Sequence, residues 1–327
     1  MKLDVRFCKA LAAAGCALLW LASCGGGSQV QRYVPTRVLA FGDETSVIEA
    51  DGRKYSVNAL QADGVTPDCA ANPLWVQSLA TAYGLTFAQC PGTAAAPASR
   101  IFAKNGAKVA DIATQVSAAG GTFASSDLAT VLVGANDVIE LYLQYDGSNA
   151  ASLSLAAEAR GTALAGQIIA LSQAGAKVLF STIFDMGQTP YGLAQEAAFP
   201  GTGRAALLSN LTERLNAKLR TGVSEKLGGN EASQMLADEQ AHAIVSAVAT
   251  SPNAATYLNA TVPICDPAQA VLPACTTKTL ITTTSTPALL DGGTATNYLW
   301  ADERHLSSGG QLSLGSLAIG QINRTPL

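Results

Sequence analysis

An apolar run, Val38-Leu39-Ala40-Phe41, stops at Gly42-Asp43 and gives way to Glu44, Thr45 and Ser46. A short unbroken apolar run bounded by glycine is the pattern of a strand buried on both faces. Such strands belong to parallel sheets covered by helices, and the carboxyl ends of their strands collect ligands and reacting groups. Polar side chains just beyond residue 41 are therefore placed to do chemistry. Two later stretches have the same character. Residues 128–133 are apolar and run into Gly134-Ala135-Asn136-Asp137, and Tyr298-Leu299-Trp300-Ala301 runs into Asp302-Glu303-Arg304-His305.

The remaining pattern predicts strands at 37–41, 85–88, 128–133, 177–184 and 233–237. Between and after them, helices are predicted at 73–83, 109–118, 151–174, 201–226, 241–249 and 306–322, two of them closed by Gly84 and Gly175. Residues 64–73, 92–99, 185–200 and the Thr-rich 276–296 read as loops, and no internal repeat is present. Strands alternating with helices predict one α/β domain, three layers deep, around a mostly parallel sheet of five strands. With 327 residues, 48% of them hydrophobic, the chain can bury a large core. A formal charge of −4 and no basic tract argue against nucleic acid as a partner.

The first residues follow a different logic. Lys2, Arg6 and Lys9 precede the apolar run 10–22, the pattern of a secretory signal over residues 1–23 and too short to favour a spanning helix. Leu21-Ala22-Ser23-Cys24 resembles the lipobox of bacterial lipoproteins; the other reading is an ordinary signal peptide cut nearby. The resemblance implies a lipid on Cys24, a flexible Gly/Ser tether over 24–36, and a domain over 37–327 held to a membrane. Gly25 rather than Asp after the lipidated Cys24 points to the outer membrane of the cell envelope. Cys8 and Cys16 would leave with the signal. Of the seven cysteines, this leaves Cys69, Cys90, Cys265 and Cys275, an even number in an oxidising compartment. Three pairings are possible, and closeness in sequence favours Cys69–Cys90 and Cys265–Cys275. Zinc is a poor fit to the spacing, since the only histidines, His242 and His305, are not near these cysteines. No metal or cofactor is expected. His242, on a predicted helix, reads as a surface or boundary residue.

Gly42-Asp43, Gly106, Gly134-Ala135-Asn136-Asp137 and Asp302-Glu303-Arg304-His305 occur in that order at a domain's spacing. They resemble the four blocks of the SGNH, or GDSL, hydrolase family. The resemblance spans roughly residues 38–322 and implies a flavodoxin-like α/β/α fold acting on acyl or acetyl esters of lipids or glycans. By it, His305 is the general base and Asp302 orients it, while the Gly106 N–H and the Asn136 side chain bind an oxyanion. Read from local sequence alone, Gly106 is a turn and Asn136 could equally cap a helix.

The family's nucleophilic serine is missing. Its position is Glu44, and the Asp that often follows in the first block is Val47. Ser46 matches a second serine of that block and has its own place. Three readings follow from Glu44. The chain is a degenerate hydrolase that binds without cleaving; or Glu44 and His305 run altered chemistry on water or by carboxylate attack; or Glu44, Asn136 and His305 hold a divalent metal.

Overall fold

The computed structural model describes residues 33–94, 96–251, 256–324 and 327. The predicted signal, the lipid site at Cys24 and the tether as far as residue 32 lie outside the described residues. Residues from Val34 onward form one compact unit.

The strands are β1 Arg37–Gly42, β2 Ala59–Leu60, β3 Pro67–Asp68, β4 Arg100–Ile101, β5 Asp127–Leu132, β6 Lys177–Ser181 and β7 Ala232–Met235. Five of them form one parallel sheet in the order β4-β1-β5-β6-β7, and β2 and β3 make a separate antiparallel hairpin. The helices are α1 Trp75–Thr81, α2 Ile112–Ala118, α3 Ala135–Tyr142, α4 Ala150–Gln173, α5 Pro190–Ala198, α6 Arg204–Ser224, α7 Ala237–Thr250 and α8 Ser308–Arg324. The chain leaves β1 toward one edge of the sheet, then returns past it to β5. The crevice between the ends of β1 and β5 is thus the topological switch point, where ligands bind in open α/β sheets.

The sheet is buried on both faces, which explains its unbroken apolar strands. On one face Leu39, Phe41, Val131, Val178 and Phe180 pack against Ile112, Leu164, Ile168, Leu219 and Val223 of α2, α4 and α6. On the other side α1 packs along α8, and α8 reaches β7. The long helices α4 and α6 touch at Gly161, where a Cβ would lie 2.2 Å from the Leu215 carbonyl oxygen. Asp127, buried at the start of β5, accepts from two guanidinium nitrogens of Arg37, each at 2.7 Å. Both disulfides join the cysteine pairs favoured by closeness, Cys69–Cys90 and Cys265–Cys275.

Three expectations need correction. Within residues 64–73, read as loop, Pro67–Asp68 is strand β3, paired with Ala59–Leu60. Residues 85–88 make only an isolated bridge, Phe87 to Ser99, and the edge strand is Arg100–Ile101. Residues 185–200 are not a loop throughout, because α5 lies within them. Thr189 caps α5, accepting the Gly192 N–H at 3.2 Å, and Pro190 stands at its first turn. Thr-Pro was the available signal, since proline is pre-set for the first helical position.

One buried cation has a structural task. Lys54 is fully buried and donates to the carbonyl oxygens of Cys69, Ala71 and Asn72 at 3.2, 2.6 and 2.8 Å. Burial pulls its pKa down to about 8, against the charge of Asp68. Lys54→Met would leave three carbonyls without that partner. We expect a loss of about 3 kcal/mol, read as a lower urea midpoint at pH 6, with the slope unchanged.

Candidate active site

The site begins where β1 must stop. Gly42 has φ +132°, and a Cβ there would lie 1.9 Å from the Leu132 carbonyl oxygen of β5. Only glycine fits this close approach. Gln115 clamps the turn through both Gly42 backbone groups, accepting its N–H and donating to its carbonyl at 2.8 Å. Asp43 then accepts the Thr45 N–H at 3.0 Å and caps a single 3₁₀ turn, Glu44–Ser46. Ser46 is fully buried and accepts the indole N–H of Trp75 at 3.0 Å, so its hydroxyl is already engaged. The other Asp43 oxygen is buried without a hydrogen-bond partner among the described residues. Burial, followed by the charge of Glu44, pushes Asp43 up to about 8.

The turn points Glu44 inward, to 4% exposure. Its Oε2 accepts the Gly106 N–H at 2.9 Å and the Asn136 Nδ2–H at 3.0 Å. Its Oε1 lies 3.1 Å from His305 Nε2 and 3.3 Å from Asn136 Nδ2. Its own backbone N–H also favours the carboxylate. Asn136 sits in the first turn of α3, whose cap is Gly134. Its amide bridges Glu44 and the Ala107 carbonyl, at 3.1 Å, instead of capping the helix. The Gly106 loop is tied down next door, where fully buried Asp137 accepts the Val109 N–H at 2.9 Å. Gly106 itself has φ +72° and open space where a Cβ would be, so its backbone conformation and not crowding favours glycine.

The last block supplies the imidazole. His305 Nδ1 lies 2.8 Å from both Asp302 oxygens. Asp302 Oδ1 also accepts the N–H groups of Arg304 and His305, at 2.9 and 2.8 Å, which locks the loop. Behind it, buried Trp300 donates to the Ala260 carbonyl at 2.9 Å and meets Phe184 edge-on. Tyr55, which sequence reasoning did not single out, lies beside the imidazole at 5.9 Å between ring centres.

Both imidazole nitrogens face carboxylates, which fixes the charge state. Burial alone would lower the His305 pKa, but its bonds to Asp302 and Glu44 and their charges carry it up to about 9. Burial alone would raise Glu44, yet the hydrogen bond and charge of His305, its own amide and Asn136 pull it down to about 2. Asp302 is lowered in the same way, against burial, by His305 and two backbone N–H groups. At neutral pH the site is an imidazolium between two carboxylates. Neither partner of the Glu44–His305 pair is then a general base.

The structure thus brings Glu44, Gly106, Asn136, Asp302 and His305 to one point at the switch of the sheet. His242 stands elsewhere, exposed on α7, within hydrogen-bond distance of Gln188. The metal reading fits poorly, because Asn136 and Gly106 present N–H groups, which repel a cation. Among the described residues no group of three or more His, Cys, Asp or Glu is arranged to hold a metal ion. Beside the triad opens a cleft of about 550 Å³ that shares Asp302 with it and is walled by Ile139, Leu143, Tyr191, Val271 and Leu272. Leu143 and Val271 are among the most exposed large apolar side chains described. The 263–272 wall is held by the Cys265–Cys275 disulfide.

No family model and no curated protein matches the chain. Among solved structures it is similar to an extracellular lipase from Streptomyces rimosus, at 13% identity and TM-score 0.44, over 89% of this chain and 99% of that one. It is similar to a member of the lipolytic protein G-D-S-L family from Veillonella parvula, at 12% identity and TM-score 0.44, over 88% and 98%. It is also similar to Axe2, an acetylxylan esterase from Geobacillus stearothermophilus, at 13% identity and TM-score 0.44, over 89% and 96%. The sheet order and the convergence of the four blocks at the ends of β1 and β5 are the chain's own evidence. The parallel five-stranded sheet covered by helices is the α/β/α fold that the block resemblance implies. On this SGNH-like scaffold the carboxylate of Glu44 occupies the cradle that the resemblance assigns to an ester's oxyanion.

Proposed function

We propose that this chain is a lipid-anchored envelope protein with ester-hydrolase architecture whose site is silent toward esters. One observation carries the reading: Glu44 Oε2 takes the Gly106 and Asn136 donors at 2.9 and 3.0 Å. An ester attacked here would need those donors for its own developing oxyanion. Displacing a carboxylate that is ion-paired and buried would cost several kcal/mol before chemistry began. Glu44 also stands where the family's nucleophilic serine would be, and His305 is already protonated. The apolar cleft supports binding of a small lipid or glycan-ester ligand without cleavage.

Hydrolysis of p-nitrophenyl acetate and butyrate by the wild type is expected to equal that of His305→Ala and of buffer. Ester turnover that disappears in His305→Ala would overturn the reading. Attachment at Cys24 is tested separately in growing cells. Labelled palmitate is expected to enter the wild type and not Cys24→Ser, and equal labelling of both would remove the anchor.

A further inference from the structure

The cleft beside the triad has a charged end for which an uncharged ester has no use. We propose that this cleft is a binding site for an apolar dipeptide, whose ammonium and carboxylate ends are taken by Glu303 and Arg304. The inference goes beyond silence toward esters. It rests on one part of that reading, that the cleft holds a ligand without cleaving it.

The apolar walls come from two parts of the chain. Ile139 and Leu143 belong to α3 and its C-terminal cap, and Val271 and Leu272 to the segment closed by the Cys265–Cys275 disulfide. The Cys265 N–H donates to the Ala301 carbonyl at 2.9 Å and pins that segment to the last block, so the cleft is formed before a ligand arrives. Its charged end holds Tyr191, Glu303 and Arg304, drawn together by the Tyr191 N–H on the Glu303 carbonyl at 2.8 Å. Arg304 is half-buried, yet its guanidinium makes no hydrogen bond or ion pair among the described residues. The Glu303 carboxylate and the Tyr191 hydroxyl make none either. Burial, then Tyr142, push the Tyr191 hydroxyl up; the Arg304 charge opposes them and the Glu303 charge adds to them, as expected if both stand near that hydroxyl. Asp302, the other ionised group of the cleft, is already spent on His305 and two backbone N–H groups.

An apolar cleft with a few convergent polar groups is the usual form of a small-molecule site. Here the groups without a partner are one cation, one anion and one hydroxyl. A simple acid would meet Glu303 and a simple amine would meet Arg304, so the complementary head is a zwitterion. Size narrows the choice. The cleft holds about 550 Å³. At about 30 Å³ for each water-sized unit, that is room for about eighteen non-hydrogen atoms, close to the roughly twenty of a dipeptide with two apolar side chains. A single amino acid would leave much of the cleft empty. The ends of an extended dipeptide lie about 6–7 Å apart, which suits two charged residues that are adjacent in sequence and do not pair with each other. Its side chains would cover Leu143 and Val271, which are 71% and 67% exposed.

The test is calorimetric titration of the full chain at pH 7 with leucyl-phenylalanine. The same peptide is also titrated N-acetylated, as its C-terminal amide, and blocked at both ends. The free dipeptide is expected to bind with a Kd on the order of 10⁻⁵–10⁻⁴ M, and each blocked end is expected to weaken it about tenfold. Arg304→Gln is expected to weaken the free dipeptide about tenfold and to erase its advantage over the amide, leaving its advantage over the acetylated form. Glu303→Gln is expected to do the reverse. A loss that is equal for all four forms in either variant would overturn the pairing of ends with residues. In the wild type, equal binding of the free and doubly blocked peptides would overturn the proposal, as would no saturable binding at millimolar peptide. Decylphosphocholine binding as tightly as the dipeptide would make the ligand a zwitterionic lipid head, and would overturn it too. The ester assays above read cleavage and not binding, so the two proposals fail separately.

Discussion

Exchange of Glu44 for serine is expected to create ester hydrolysis where the wild type has none. The substitution removes the carboxylate from the cradle and leaves the Gly106 N–H and Asn136 amide free to meet a substrate oxyanion. It also removes one of the two carboxylates that hold His305 protonated. His305 then titrates closer to neutrality, with Asp302 still 2.8 Å from Nδ1. The serine Oγ extends from the same backbone turn, which Gly42, Gln115 and the Asp43 cap fix independently of residue 44. A triad nucleophile contributes on the order of 10⁶-fold in an optimised serine hydrolase. A newly placed one should recover a small part of that, about 10²-fold in kcat/KM over the wild type for p-nitrophenyl acetate. The rate should rise with pH as His305 loses its proton, and should vanish in Glu44→Ser combined with His305→Ala. A Glu44→Ser protein that stays folded but no faster than wild type would mean that the cradle does not serve as an oxyanion hole.

His305→Ala is expected to destabilise the protein by about 3 kcal/mol near pH 6, because buried Glu44 and half-buried Asp302 lose the cation between them. Urea unfolding of both proteins across pH reads this loss. The pH dependence of the wild type follows from linkage. His305 is raised from 6.5 to about 9, so its contribution is complete below pH 6.5 and is lost as pH rises through 9. Glu44 is lowered from 4.5 to about 2, so its contribution is complete above pH 4.5 and is lost as pH falls through 2. Asp43, raised from 3.8 to about 8, opposes stability increasingly as pH climbs between those values. The wild type should therefore be most stable near the acid end of the window from pH 4.5 to 6.5, and the gap to His305→Ala should narrow above pH 9. A gap that stays constant from pH 5 to 10 would show that the imidazolium clasp contributes nothing.

Much of this molecule can be read from single stretches. β1 and β5 are legible because a strand covered on both faces has to be apolar throughout. The disulfides are legible because closely spaced cysteines in loops have few other partners. The loops that carry Gly106 and Asp302 are legible as block positions. The edge strand is not legible because Arg100–Ile101 is only two residues long, and its register comes from β1 rather than from any periodicity of its own. Helix α5 is hidden in the sequence because Gly187, Pro190 and Gly192 are turn residues by composition. Packing decides otherwise there: the Thr189 cap and the Tyr191 N–H to the Glu303 carbonyl, at 2.8 Å, hold the helix against the last block.

The linear order of residues was enough to show which side chains stand at the strand ends, and that a carboxylate replaces a hydroxyl at the first of them. It could not say where that carboxylate goes. A glutamate at a strand end can face solvent, a cation or an empty crevice, and those choices differ by interactions with residues 62 to 261 positions away. Only the folded chain, closing β1 on β5 at a glycine and swinging the final loop over the switch point, brings two oxyanion donors and an imidazole around Glu44. Burial makes those bonds strong, and that is what turns a one-residue departure into a site of different chemistry.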